Sequence, residues 1–136
     1  MSFSLTKVPT FALNTLLGKI NVNGGLAVAL TNTTHSSTFA KLADLTEISY
    51  TYCSSRVPTV TSIAQVGGLA TLILAQLLLT TTGALGPFRY LYLYETSTAD
   101  KNLIGVYDYG YSITLYYSGD QFNIAFDTTN GVLTIQ

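Results

Sequence analysis

GPFRYLYLYETSTADKNLIGVYDYGYSITLYYSGDQFNIAFDTTNGVLTIQ, residues Gly86 to Gln136, decides the fold class. It divides into RYLYLYE (Arg89 to Glu95), LIGVYDYG (Leu103 to Gly110), SITLYY (Ser112 to Tyr117), QFNIAF (Gln121 to Phe126) and GVLTIQ (Gly131 to Gln136). Aromatic and β-branched residues dominate these runs, and each has the length of an ordinary strand. STADKN, SGD and DTTNG separate them, supplying the Gly, Asn, Asp and Ser that tight turns need. DTTNG reads as a hairpin turn with Gly131 at positive φ. The block is therefore antiparallel β.

Working back toward the N-terminus, LATLILAQLLL (Leu69 to Leu79) reads as one buried apolar strand, preceded by a turn at Gly67-Gly68 and by TVTSIAQ. Pro58 marks a strand start or an edge. EISYTYC (Glu47 to Cys53) alternates, with Ile48, Tyr50 and Tyr52 on one face of a strand. Phe39, Leu42 and Leu45 are spaced for a short helix from about Thr38 to Leu45. LAVALT (Leu26 to Thr31) follows the turn Asn23-Gly24-Gly25 and reads as the first strand. Pro9 and Gly18 bracket a short helix carrying Phe11, Leu13, Leu16 and Leu17. The expected fold is mainly β, an antiparallel β-sandwich or jelly-roll-like barrel of about eight strands with one or two short N-terminal helices. Residues 1–136 form a single β-domain, with 1–24 as an N-terminal arm and helix.

Composition narrows the function. The chain has 136 residues, enough for one core without metal or disulfides. Charged residues are only 10 % of it and the net charge is −1, so no basic field draws in nucleic acid. A surface so poor in charge associates readily, which points to a homo-oligomer or a subunit of an assembly. The lone Cys53 excludes an internal disulfide and reads as a buried thiol. MSFSLTKVPTF lacks the basic and apolar regions of a signal peptide. The charge-free stretch from Val57 to Phe88 resembles a membrane span by hydropathy, but its apolar part is short and contains Thr71 and Gln76. No membrane partner is expected.

Reactive chemistry is sparse. His35 sits in a Ser/Thr loop without a second histidine for a metal or a nucleophile for catalysis. Glu95 and Asp108 are the strand-borne acids that a paired-carboxylate mechanism would need, and each reads more simply as exposed or hydrogen-bonded. Neither GxGxxG nor GxxxxGK(S/T) occurs, so no phosphate cradle is present. No catalytic residue, cofactor or metal is expected, and the protein reads as a non-enzyme.

The tyrosines are the unusual feature. Tyr90, Tyr92 and Tyr94 share one face of their strand, and Tyr107, Tyr109 and Tyr111 share one face of theirs. On neighbouring strands these would form one aromatic patch. Three readings stay open for it: a subunit or partner interface, with Phe11 added from the helix; a carbohydrate platform; or a sheet face packed beneath the N-terminal segments.

The segment also resembles a known group. Gly86-Pro87-Phe88-Arg89-Tyr90, Leu103-Ile104-Gly105, Tyr107-Asp108-Tyr109-Gly110 and Phe126-Asp127 through Thr134 are similar to the C-terminal half of small virion structural proteins of tailed double-stranded DNA bacteriophages. Asn14-Thr15-Leu16-Leu17, LAVALT and Ala43-Asp44-Leu45-Thr46-Glu47-Ile48 extend the likeness. The extra tyrosines Tyr92, Tyr94, Tyr116 and Tyr117 depart from it. The resemblance implies capsid decoration (cement) or tail-associated roles. The expectation that follows is a homo-oligomer, a trimer by preference, made in the host bacterial cytoplasm and bound to the major capsid protein on the virion surface. The alternative is a tail- or fibre-associated module that recognises host glycans.

Overall fold

The computed structural model describes residues 5–135. Its strands are β1 (Thr6–Lys7), β2 (Leu26–Thr31), β3 (Val60–Val66), β4 (Leu69–Leu74), β5 (Leu77–Thr80), β6 (Leu85–Glu95), β7 (Leu103–Leu115), β8 (Gln121–Ile124) and β9 (Leu133–Ile135). One α-helix, α1 (Phe11–Leu16), and 3-10 turns at Val22–Gly24 and Leu42–Asp44 complete it. All strand pairs are antiparallel, in a four-stranded sheet ordered β1-β7-β6-β2, a three-stranded sheet β3-β4-β9 and a two-stranded sheet β5-β8. The four-stranded sheet ends at β1 and β2, so no barrel closes. One hydrophobic core draws on every sheet: Val28, Leu91 and Leu93 from the first, Leu72 and Leu74 from the second, Leu79 and Ile124 from the third.

The mainly β expectation holds, and so do α1, β2 and the Gly67-Gly68 hairpin. Other elements differ. LIGVYDYG and SITLYY are one strand, β7, rather than two. Phe88 pairs with Ile113 and Tyr90 with Asp108, so a single Arg89 faces the four residues Tyr109 to Ser112. Those four bulge out, with Gly110 at φ +84, a conformation that costs a residue with a Cβ. LATLILAQLLL is instead two strands, β4 and β5, broken at Ala75-Gln76. Both halves keep the same neighbour on one side, through Ala75 N–H to Thr59 O at 2.9 Å and Ser54 N–H to Thr80 O at 3.1 Å. On the other side β4 takes β9 and β5 takes β8. The DTTNG and SGD turns therefore link strands of different sheets and are not hairpins. Asp127 builds the first as an Asx turn, accepting from Thr129 N–H at 2.9 Å and Asn130 N–H at 3.0 Å.

The helix expected over Thr38 to Leu45 is only the 3-10 turn at Leu42–Asp44. Its backbone is claimed elsewhere: Leu42 N–H goes to Lys101 O and Leu103 N–H to Ala40 O. The Asp44 carboxylate takes Ala40 N–H and Lys41 N–H, a local alternative to helix.

EISYTYC is not a strand either, meeting its neighbours only at the isolated bridges Thr31↔Glu47 and Cys53↔Thr81. The segment covers the open edge of β2 with a mixture of backbone and side-chain groups. Ile48 N–H reaches Leu30 O, and Val28 N–H reaches Arg56 O. The Tyr50 hydroxyl accepts from Leu30 N–H at 2.8 Å and donates to Glu47 at 2.8 Å. The Arg56 guanidinium donates to Val28 O and lies 3.6 Å over the Tyr50 ring. Burial pushes the Tyr50 phenol well above its usual range, although the Leu30 amide opposes it, so the hydroxyl stays a donor. An unpaired edge invites foreign strands, and this strap removes that edge from β2.

Candidate interaction surfaces

The register of β6 on β7 separates the tyrosines. Direct partners share a face: Tyr90 meets Asp108, Leu91 meets Tyr107 and Tyr92 meets Val106. Tyr107 therefore lies with Leu91, on the opposite side of the sheet from Tyr90 and Tyr92. The single six-tyrosine patch does not form, because the two triplets are one residue out of step and that offset inverts the face. Tyr90, Tyr92 and Tyr94 are all buried, opposite Thr31, Ala29 and Ala27 of β2, whose small side chains leave them room. Tyr107 and Tyr109 are half-buried, stacked edge-on 4.9 Å apart, with Tyr109 against Phe122 and Phe88. Burial first, then the neighbouring Tyr107, holds the Tyr109 phenol above its usual range. Tyr111 alone of the six is exposed, on the β7 bulge.

Phe11 is buried too, on the inner side of α1. Leu13, Leu16 and Leu17 instead face outward, Leu16 with 86 % of its surface free. Helical geometry accounts for the split. At about 100° per residue the three leucines fall roughly 140° to 240° around the axis from Phe11. This signal was present in the sequence, and it marks an apolar helix face directed away from the core. Beside it Lys7, Ala12, Thr15 and Leu16 line a hollow of about 220 Å³ over Phe11. α1 is tied to the β6–β7 hairpin through Asn102 Nδ2–H to Lys19 O at 3.0 Å.

A second exposed group lies at the other end of that sheet. Tyr116 and Tyr117 follow β7, Tyr117 with 74 % of its surface free. The Asp120 carboxylate fixes their turn by accepting from both of their amides at 3.1 and 3.0 Å. Thr81 ties this turn to the next loop through its hydroxyl to Tyr117 O, and Thr82 N–H reaches Tyr52 O. Tyr52 is itself exposed.

Glu95 lies apart from Asp108 and His35, which border one hollow. Glu95 is fully buried at the β6–β7 hairpin, five residues along β6 from Tyr90 and hence about 16 Å from the position facing Asp108. It accepts from Ser97 N–H and hydroxyl, Thr98 N–H and hydroxyl, and Asn102 N–H. Burial raises its pKa, but the Thr98, Asn102 and Ser97 donors together outweigh that and hold the carboxyl below its ordinary value. Asp108 grips the Arg89 guanidinium with both oxygens, at 2.8 and 3.0 Å, and caps Gly110 N–H at 2.7 Å. Arg89 first, then the Gly110 amide, lowers its pKa.

His35 Nδ1 lies 2.5 Å from the Tyr92 hydroxyl, with Phe39 edge-on to its ring. Burial, and then Tyr90, keeps the Tyr92 phenol well above its usual range, so it stays protonated beside Nδ1.

Among the described residues no three His, Cys, Asp or Glu side chains cluster to hold a metal ion, and no helix is long and apolar enough to cross a membrane. Compared with protein-family models, with curated proteins and with solved structures, the chain finds no match in any of the three.

Proposed function

We propose that the protein is a structural subunit of a tailed-phage virion, a capsid decoration protein that binds the outer surface of the head. The observation that carries the reading is the outward apolar face of α1, Leu13, Leu16 and Leu17, on a chain with only 10 % charged residues. Three clustered leucines held in water by one short helix favour a docked state. The phage-like residues between Gly86 and Thr134 supply the kind of assembly. The sheets pack as a sandwich about their shared core, and the subunits form a trimer. Each copy contacts the major capsid protein through the α1 face, without nucleic acid or membrane. Binding only the assembled, expanded shell stabilises that shell by mass action.

A tail- or fibre-associated receptor-binding role is the second reading. It draws on the exposed aromatics Tyr111, Tyr116 and Tyr117 rather than on the buried Tyr90, Tyr92 and Tyr94.

The decoration reading is tested by mixing purified protein with expanded heads that lack it. The L13S/L16S variant is expected to lose head binding by about a hundredfold or more, since two apolar anchors are removed from the contact. Both side chains are solvent-exposed, so the thermal midpoint of the variant should stay within a few degrees of the parent. Equal occupancy by parent and variant would remove α1 from the contact.

A further inference from the structure

On the face of the sheet opposite Leu91 and Tyr107, the row β6 Tyr90 and β7 Asp108 borders an open hollow of about 310 Å³. It is lined by Thr6 of β1, Thr34 and His35 of the loop after β2, Tyr90, Val106 and Asp108. The size is at the lower end of the roughly 300–1,000 Å³ of small-molecule sites. Its polar groups are held in place by the surrounding chain. Tyr92 holds the His35 ring through Nδ1, and the second ring nitrogen has no partner among the described residues. Arg89 clamps the Asp108 carboxylate, whose Oδ2 keeps one lone pair to spare once Arg89 and Gly110 N–H are served.

Tyr90 is the decisive member. Only 7 % of it is exposed, and among the described residues its hydroxyl has no hydrogen-bond partner. A phenol that is more than nine-tenths buried normally has its hydroxyl paired. Tyr90 borders the same hollow as His35, Asp108, Thr6 and Thr34.

We infer that this hollow is a subsite for a single neutral sugar unit. Arg89 cancels the Asp108 charge, so the site has no net charge with which to hold an ion. What remains is a fixed mixture of donors and acceptors around the apolar flank of Val106 and the Tyr90 ring, which suits adjacent hydroxyls on a carbon ring. The carboxylate accepts from one hydroxyl, His35 Nε2 pairs with another, and the Tyr90 hydroxyl serves either role. The subsite goes beyond decoration and holds whether the subunit sits on head or tail. It is also separate from the Tyr116–Tyr117 turn.

The test is ligand-observed NMR of the full chain with methyl glycosides of glucose, galactose, mannose and N-acetylglucosamine to millimolar concentration. A neutral oligosaccharide array alongside distinguishes a lone sugar from one within a chain. At least one neutral sugar is expected to bind. Tyr90→Phe, which removes only the hydroxyl, should weaken it by about three- to tenfold. Asp108→Asn should weaken it by about tenfold or more. Three results would overturn the inference: no neutral sugar binds the parent; affinity is unchanged in both variants; or binding survives them and is lost in Y116A/Y117A. Copy number in the virion bears on none of these outcomes, so the subsite and the decoration role fail independently.

Discussion

Glu95→Ala is expected to destabilise the protein by about 3–5 kcal/mol, the cost of leaving several buried donors without their acceptor. Three backbone amides, of Ser97, Thr98 and Asn102, and two hydroxyls converge on this one carboxylate. Among the described residues no basic side chain pairs with it, and amides and hydroxyls hold it charged. Removing it opens the β6–β7 turn and loosens Asn102, which also holds Lys19 O at the end of α1. For a chain of this length the thermal midpoint should fall by roughly 10–20 °C. The same group dictates a pH response. The folded-state pKa of Glu95 lies below its ordinary value. The contribution is therefore complete above the unfolded value of about 4.3 and is lost as pH falls through the folded pKa. Asp108 and Asp127 are shifted in the same direction but their carboxylates lie at the surface, and they add little. Urea titrations should show stability falling below about pH 4.3 in the parent and a shallower fall in Glu95→Gln. Equal slopes would remove Glu95 as the acid-sensitive group.

The β character was legible because period-two alternation and turn residues are local signals, and β2, β6, β7 and the Gly67-Gly68 hairpin follow them. What was not legible depended on partners distant in the chain. EISYTYC alternates as well as any strand, yet Tyr50 and Arg56 pair with β2 through side chains, which no local pattern encodes. The single six-tyrosine patch fails for a similar reason. Alternation shows which tyrosines share a face within a strand, whereas the register of β6 on β7 decides whether two strands agree. Phe11 and the leucines of α1 were separable by helical angle alone. Only packing showed which side lay inward.

Phe88→Ala is expected to cost about 3–5 kcal/mol, as for other large core truncations. Phe88 is fully enclosed, 5.3 Å from Phe122 of β8 and 6.4 Å from Tyr109 of β7, each edge-on. The ring thus joins the four-stranded sheet to the two-stranded one, and edge-to-face pairs add to simple burial. Phe88→Leu, which refills most of the space, should cost about 1.5 kcal/mol or less. Because one core serves all three sheets, both variants should unfold in a single transition at reduced denaturant. Amide exchange should accelerate across β2, β6 and β7 as well as β5 and β8. Exchange that rises in β5 and β8 alone would mean that this pair folds as a separate unit.

The decoration role itself turns on abundance. Quantitative mass spectrometry of purified virions, with the major capsid protein as internal standard, counts the copies per particle. A head-binding cement subunit predicts a number comparable to that of the major capsid protein. A count of only a few copies per virion would contradict decoration and place the subunit on the tail or its fibres.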